Sequence, residues 1–411
     1  MTARLPAFAA YGIELEYMIV DRHTLDVRPI ADELMRAATG GYACEVERGP
    51  LAWSNELVLH VLEIKNPAPL ALDALPGAFL AEVAAINQKL AGVDARLLPS
   101  GMHPWMQPER ETRLWPHDNQ QIYQAYDRIF DCRRHGWANL QSMHVNLPFS
   151  DDGEFERLLA AVRLVLPILP ALAASSPIAD GELTGFMDYR MHVYRDNAAA
   201  FPAIAGAIIP EVVRSGLEHK EQILAPMYAA IAPHDEACVL QYEWLNSRGA
   251  IPRFDRHALE IRVLDMQESP HVDVALAALC VDLIRYLFEQ NSSDVASQQA
   301  IDTQALANVL NDCVRDADGA VIVDAAYLDL FAFPGQKASA GELWHYLCEI
   351  LAGQPGAHVD LWRTPVSFIL QHGPLARRIV NALAGDMSPL RLAEVYRELA
   401  QCLSDAKQFS V

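Results

Sequence analysis

Five glutamates, a histidine and an arginine stand in stretches where a folded chain would ordinarily lay down apolar strands. In Y-G-I-E-L-E-Y-M-I-V-D (Tyr11 to Asp21), Glu14 and Glu16 interrupt an apolar run two residues apart. A strand turns successive side chains to opposite faces, so these carboxylates lie side by side while Ile13, Leu15 and Tyr17 point into a core. Two anions on one face call for a cation between them. Q-S-M-H-V-N-L-P (Gln141 to Pro148) divides the same way, with Met143, Val145 and Leu147 on one face and Ser142, His144 and Asn146 on the other. A-L-E-I-R-V-L (Ala258 to Leu264) sets Glu260 beside Arg262, opposite Leu259, Ile261 and Val263. The fourth stretch, Ser54 to Lys65, carries Glu56 and Glu63. Their odd spacing puts them on opposite faces of an unbroken strand, so both reach one site only through a bulge or bend.

Taken in order, these motifs resemble the glutamate-cysteine ligase family of carboxylate-amine ligases and, more distantly, glutamine synthetase. The resemblance rests on G-x-E-x-E on a first strand, two glutamates on a following strand pair, H-x-N on a middle strand and E-x-R on a late one. L-L-P-S-G-M-H-P-W (Leu97 to Trp105), H-G-W-A-N-L-Q-S (His135 to Ser142) and A-S-S-P-I-A-D-G (Ala174 to Gly181) fit as well, so it spans about two thirds of the chain, Tyr11 to Pro270.

The resemblance implies an α+β fold of the glutamine synthetase-like kind, a largely antiparallel curved sheet forming a funnel-like active site with helices packed outside. The strand patterning agrees, because few β-α-β crossovers can be counted and the strands alternate polar with apolar faces. It also implies an ATP- and Mg2+-dependent ligase that phosphorylates a side-chain carboxylate, that of glutamate, and lets an amine displace the phosphate. Phosphoryl transfer from ATP needs divalent metal to neutralise the phosphate oxygens, and magnesium takes hard oxygen ligands. Without metal, so many carboxylates would raise one another's pKa. The roles carried over are Glu14, Glu56 and Glu63 on one magnesium, Glu16, His144 and Glu260 on another, and Asn146 with His144 near the nucleotide phosphates. Arg262 neutralises the phosphoryl group in flight, with Glu260 beside it. An arginine fork suits the acid's α-carboxylate. Arg190 is chosen over Arg248 and Arg253 for it, with Tyr189 and Tyr194 walling a small pocket and Gln141 as a further substrate contact. Two other readings use the same residues: a metal-dependent hydrolase with water as nucleophile, and a non-catalytic binding protein of the same fold. No residue identifies a thiol pocket, so the acceptor stays open among cysteine, other amines and peptides.

Composition narrows the field. The chain has 411 residues, 52% of them hydrophobic and 21% charged, which supplies a sizeable core. A formal net charge of -21, without basic clusters, argues against a nucleic-acid surface. No G-x-x-x-x-G-K-[ST], strand-following G-x-G-x-x-G, G-x-S-x-G or H-E-x-x-H occurs, so an ATP site here is of neither P-loop nor Rossmann type. Seven dispersed cysteines without a C-x-x-C read as reduced thiols and hence a cytoplasmic location. The start is too short for a signal peptide before the first strand, and Leu158 to Ala174, interrupted by Arg163, Pro167 and Pro170, is too short to span a bilayer. The expected partners are a small-molecule amino-acid substrate and an amine acceptor, with no nucleic acid and no membrane; a homo-oligomer is compatible with this.

Helical spacing is read over 30–39, 73–91, 119–133, 152–174, 271–289, 303–314, 341–351, 375–384 and 389–403, and strands over 42–48, 95–98 and 239–246. Pro252 and Asp255 mark a turn before the 259–264 strand, 175–185 reads as a loop, and the Gly101 to Trp105 loop is expected to border the site. With no repeat or linker, one catalytic unit over 1–411 is expected, residues 1–270 bearing the motifs and 271–411 forming a helical part packed on them.

Overall fold

The computed structural model describes residues 4–410. Its centre is an eight-stranded sheet in which every ladder is antiparallel. The strands are β1 (Gly12–Asp21), β2 (Glu45–Arg48), β3 (Leu51–Asn55), β4 (Val61–Lys65), β5 (Ala95–Leu98), β6 (Ser142–Pro148), β9 (Ala250–Arg253) and β10 (Ala258–Asp265). A separate small hairpin, β7 (Ile178–Ala179) and β8 (Glu182–Leu183), lies within the stretch expected to be loop. The sheet order is β2-β3-β4-β1-β6-β10-β9, and β5 pairs with the second half of β1.

The alternation that set the polar residues apart also builds the core. Ile13, Leu15, Tyr17, Leu62, Ile64, Met143, Val145, Leu147, Leu259 and Ile261 are all fully buried on the face turned to the helices. Helices Leu75–Ala91, Asp152–Val165 and Pro270–Phe288 cover that face. Pro270–Phe288 is apolar around nearly its whole circumference, as befits a helix packed on all sides. The far end of β1 is enclosed on both faces, because Met18 and Val20 pack in a second cluster with helices Leu375–Leu383 and Pro389–Asp405.

Three expectations are corrected. Ser54 to Lys65 is a hairpin, with β3 and β4 joined through Glu56 to His60, so the bend needed by the Glu56 and Glu63 spacing is a full reversal. Residues 239–246 form turns and a short 3-10 helix, Glu243–Leu245; the partner of β10 is instead β9, which contains Pro252. Proline fits there because β9 is the sheet edge and its missing N–H breaks no ladder. Helix Val359–His372 arises where no element was expected, continuing through Pro365. It is tied to the buried Asp282, which accepts from the His358 backbone N–H (2.7 Å) and Trp362 Nε1 (2.8 Å).

Candidate active site: a carboxylate cluster on the open face of the sheet

Strand register brings the singled-out residues together. Glu14 lies opposite His144 on β6 and Lys65 on β4, Glu16 opposite Glu63, and Glu260 opposite Asn146. Residues directly across an antiparallel ladder share a face, so four adjacent strands present one polar surface. Glu56 reaches the same cleft from the β3–β4 turn.

His144 is the hub. Its Nδ1 lies 2.8 Å from Glu14 Oε2 and its Nε2 3.0 Å from Ser142 Oγ. Glu16 Oε2 accepts from the Ser142 backbone N–H (2.6 Å) and hydroxyl (3.0 Å), and Asn146 Nδ2 donates to Glu14 Oε1 (3.1 Å). Burial opposes charge on Glu14, but the bond and charge of His144 outweigh it and hold the carboxyl at about 2. On the imidazole the same pairing, with Glu16, outweighs burial and raises its pKa. Glu63 is the reverse case: burial and the Glu14 charge push it up to about 7, although Lys65 Nζ (2.9 Å) and Ser54 Oγ (2.5 Å) contact it. Burial, Glu16 and Glu63 push Glu56 well above the ordinary carboxylate range.

Two groups are close enough to share a metal ion, each able to bring one ligand atom per residue within 4.8 Å of the others: Glu14, Glu63 and His144, and Glu16, Glu56 and Glu63. The donors are mostly carboxylate oxygens, and the crowding that raises Glu56 and Glu63 is what a divalent cation relieves, so this set fits magnesium. The grouping differs from the expected one. Glu63 is common to both groups, Glu56 joins Glu16, and His144 joins Glu14. Glu260 lies outside both: its carboxylate is held by Arg262 (Nη2, 2.8 Å) and Arg253 (Nη1, 3.4 Å), with His144 Nδ1 at 3.9 Å. It anchors Arg262, whose Nη1 also reaches Tyr194 Oη (3.4 Å).

The substrate residues fare unevenly. Arg190 lines the cleft but is buried, its Nε bound to Asp265 and its Nη1 directed at the Arg262 carbonyl (3.4 Å), so a whole fork is not free; Nη2 alone has no partner. Tyr194 lines the cleft, whereas Tyr189 lies outside it, packed beside the stacked rings of Phe186 and His192. Gln141 is buried off the cleft, because its odd position on the β6 alternation turns it from the face of Ser142 and His144. The Gly101 to Trp105 loop does not border the site; His103 is buried with Nε2 on the Leu25 carbonyl (2.7 Å).

The sequence reading missed Asp265. The β10–β6 register slips between Ile261 and Leu264, an extra residue on β10 that turns Asp265 opposite Ser142. There it takes the Ser175 backbone N–H (2.8 Å), Ser176 Oγ (2.7 Å) and Arg190 Nε, clamping the A-S-S loop to the cleft wall. Lys65 and Ser54, which hold Glu63, were also passed over; E-I-K at Glu63 to Lys65 was the available signal, the same i, i+2 pairing as E-I-R.

An antiparallel sheet with helices on one face and carboxylates, imidazole and guanidinium on the other is the glutamine synthetase-like architecture of carboxylate–amine ligases. A glutamate–cysteine ligase of Francisella tularensis, crystallised in complex with AMP, shares this fold over 98% of this chain and 90% of its own, with TM-score 0.63 and 12% identity. The chain belongs to glutamate–cysteine ligase family 2 (GCS2), whose family model matches residues 10–323. An uncharacterized protein of Archaeoglobus fulgidus is 37% identical over 285 residues, 69% of this chain and 76% of that protein. A Bradyrhizobium diazoefficiens protein provisionally named glutamate–cysteine ligase 2 is 28% identical over 68% of this chain, the match taking in 60% of its own length. Among the described residues no helix is long and apolar enough to cross a membrane.

Proposed function

We propose that this chain is an ATP- and Mg2+-dependent ligase that joins a carboxylic acid, with glutamate's side chain the first candidate, to an amine through an acyl phosphate. The observation that carries the reading is the pair of overlapping carboxylate groups beside Arg262. Glu14, Glu63 and His144 would hold one magnesium and Glu16, Glu56 and Glu63 another, and the metal supplies charge neutralisation to the phosphate oxygens. Asn146 keeps Glu14 aimed, and Glu260, braced by Arg253, keeps the Arg262 guanidinium over the cleft. Arg262 offers planar donors to charge developing on the transferring phosphoryl group. Arg190 Nη2 is the donor available to the acid's second carboxylate. The AMP bound by the Francisella relative is consistent with a nucleotide here.

The test is ADP release with glutamate and related acids against a panel of amines, amino acids and peptides. Activity is expected only with Mg2+ or Mn2+, and Glu14→Gln should abolish it. Full ADP production by Glu14→Gln with every active pair would remove the assignment. Arg190→Ala should raise the Michaelis constant for the acid roughly tenfold while leaving that for ATP nearly unchanged; an equal loss for both would put the carboxylate elsewhere.

A further inference from the structure

We infer that Arg378, from the helical C-terminal part, is a positioning residue for the Arg190 wall of the cleft, acting through Glu268 and Asp265. This rests on the ligase reading above and adds to it a residue outside residues 10–323, which the family model matches. Arg378 and Glu268 form a buried ion pair (Nη1 to Oε1, 2.6 Å), exposed by only 1% and 0%. The same Nη1 donates to the Phe409 carbonyl (2.7 Å) and Nε donates to the Gly373 carbonyl (3.1 Å). The Phe409 N–H closes the ring on Glu268 Oε1 (3.1 Å). Glu268 lies in M-Q-E-S (Met266 to Ser269), which joins Asp265 at the end of β10 to helix Pro270–Phe288. That connection is tied along its length. The Gln267 N–H donates to Asp273 Oδ1 (2.8 Å), and Gln267 Nε2 donates to the carbonyls of Asp265 (2.9 Å) and Ala173 (2.7 Å).

The other side of the same wall is held by the same helix. Ala376, just before Arg378 in helix Leu375–Leu383, donates its N–H to the Ala174 carbonyl (2.8 Å). The next residues, Ser175 and Ser176, are the ones Asp265 clamps. Ser175 Oγ also donates to the Met266 carbonyl (2.7 Å) and accepts from the Gly101 N–H (2.7 Å). Ser176 Oγ accepts from the Arg190 N–H (3.1 Å), and Asp265 takes Arg190 Nε. A single helical turn therefore grips both segments that meet at Arg190, A-S-S at Ala174 and M-Q-E-S at Glu268. Stability alone does not account for the ion pair, because a packed apolar pair of similar volume often serves a core as well. What charge adds is geometry: a buried carboxylate must face its partner, so the connection that bears Glu268 has one seat. The bonds from Arg378 to Arg190 run without a gap, and coupling along them is measurable.

The experiment uses the full chain and compares wild type, Arg378→Lys and the double variant Glu268→Gln with Arg378→Met. Arg378→Met alone would leave Glu268 buried without a counter-charge and endanger folding, whereas the double variant removes both charges and keeps the fold, as near-ultraviolet circular dichroism checks. Two readouts follow. Without substrate, the Ser175 N–H, which donates to Asp265, should exchange with deuterium several-fold faster in the double variant, with the amides of β1 unchanged. In ADP release, the double variant should raise KM for the acid several-fold, short of the roughly tenfold expected for Arg190→Ala, and leave kcat and KM for ATP nearly unchanged. Arg378→Lys, which keeps the charge, should stay close to wild type in both. In an Arg190→Ala background the double variant should add no further rise, because the effect runs through Arg190. Unchanged exchange at Ser175, or an unchanged KM for the acid, in the folded double variant overturns the inference. So does an equal rise in the Arg190→Ala background. Absence of ADP release from the wild type with every acid overturns the ligase reading instead, and the exchange at Ser175 still decides whether Arg378 fixes the wall.

Discussion

Glu63 belongs to both candidate metal groups, and burial with the Glu14 charge makes its own charge costly in the metal-free protein. Its carboxyl titrates near 7 in the folded state against 4.5 for the free group, so the fold holds its proton more tightly than the unfolded chain. The associated stability is complete below 4.5 and disappears as pH rises through about 7. At pH 8 in EDTA, Glu63→Gln should therefore raise stability, by as much as about 3 kcal/mol if the whole shift is recovered, while eliminating Mg2+-dependent ADP release. A urea midpoint that is unchanged or lower under those conditions would refute this. Arg262→Lys retains charge but loses the planar fork, and should cut kcat by roughly a hundred- to a thousandfold with little effect on KM for ATP; near-normal turnover would assign the phosphoryl contact to another group. Much at this scale was legible because one rule, the two-residue alternation of strands, sorts Glu14 and Glu16, Ser142, His144 and Asn146, and Glu260 with Arg262 onto one face. Gln141 breaks from its expected role by the same parity. Tyr189 escapes the rule because it opens a helix, Tyr189–Arg195, where periodicity says nothing about which cavity a ring meets.

Elements were readable where their pattern was long and hidden where one residue inverted it. Pro252 reads as a turn, yet it is harmless on an edge strand, and helix Val359–His372 continues through Pro365 because Trp362, Val366 and Ile369 pack it in place. The slip in β10 left no mark in composition, so the place of Asp265 opposite Ser142 could not be seen. A quieter dependence lies in the loops that brace the sheet. His60 donates to the Ala138 carbonyl (2.7 Å) and His103 to that of Leu25, and burial holds both imidazoles, with His219, at about 4. A folded pKa below the unfolded 6.5 means that the unfolded chain binds more protons, so stability falls as pH drops from about 6.5 toward 4. Equilibrium urea unfolding of the metal-free protein at pH 7, 6, 5 and 4.5 should show this, and His103→Gln, with an amide donor near the same place, should flatten the decline; an equally steep decline in that variant would exclude His103 as a source. Gly101 offers a second test, because a Cβ there would run into the Asp265 carboxylate. Gly101→Ala should cost about 1–3 kcal/mol and disturb the Arg190 clamp, raising KM for the acid; normal stability and normal KM together would show that the loop simply shifts.

Across the whole molecule, the main apolar cluster takes residues from Tyr11 through the sheet helices to Trp362 and Leu403, so the motif-bearing part and the helical part share it. A single catalytic unit, with 271–411 packed on 1–270, remains our proposal. Its acidic surface and dispersed free cysteines were legible from composition alone. What composition could not give is where the chemistry sits relative to the most enclosed strands. Glu14, Glu16, His144 and Glu260 ride on β1, β6 and β10, interior strands of the sheet whose reverse faces are fully buried, while Glu56 stands alone on a turn. A site so mounted has no independent way to fall apart. On slow heating, loss of catalytic activity should track loss of the near-ultraviolet signal degree for degree, with no window in which an intact fold is catalytically dead. Amide hydrogens of β1 and β6 should be among the last to exchange, and those around Glu56 among the first. Catalytic death well ahead of unfolding would point to that turn as the weak member, and a proline or shortened linkage there would then be the place to lengthen the protein's working life.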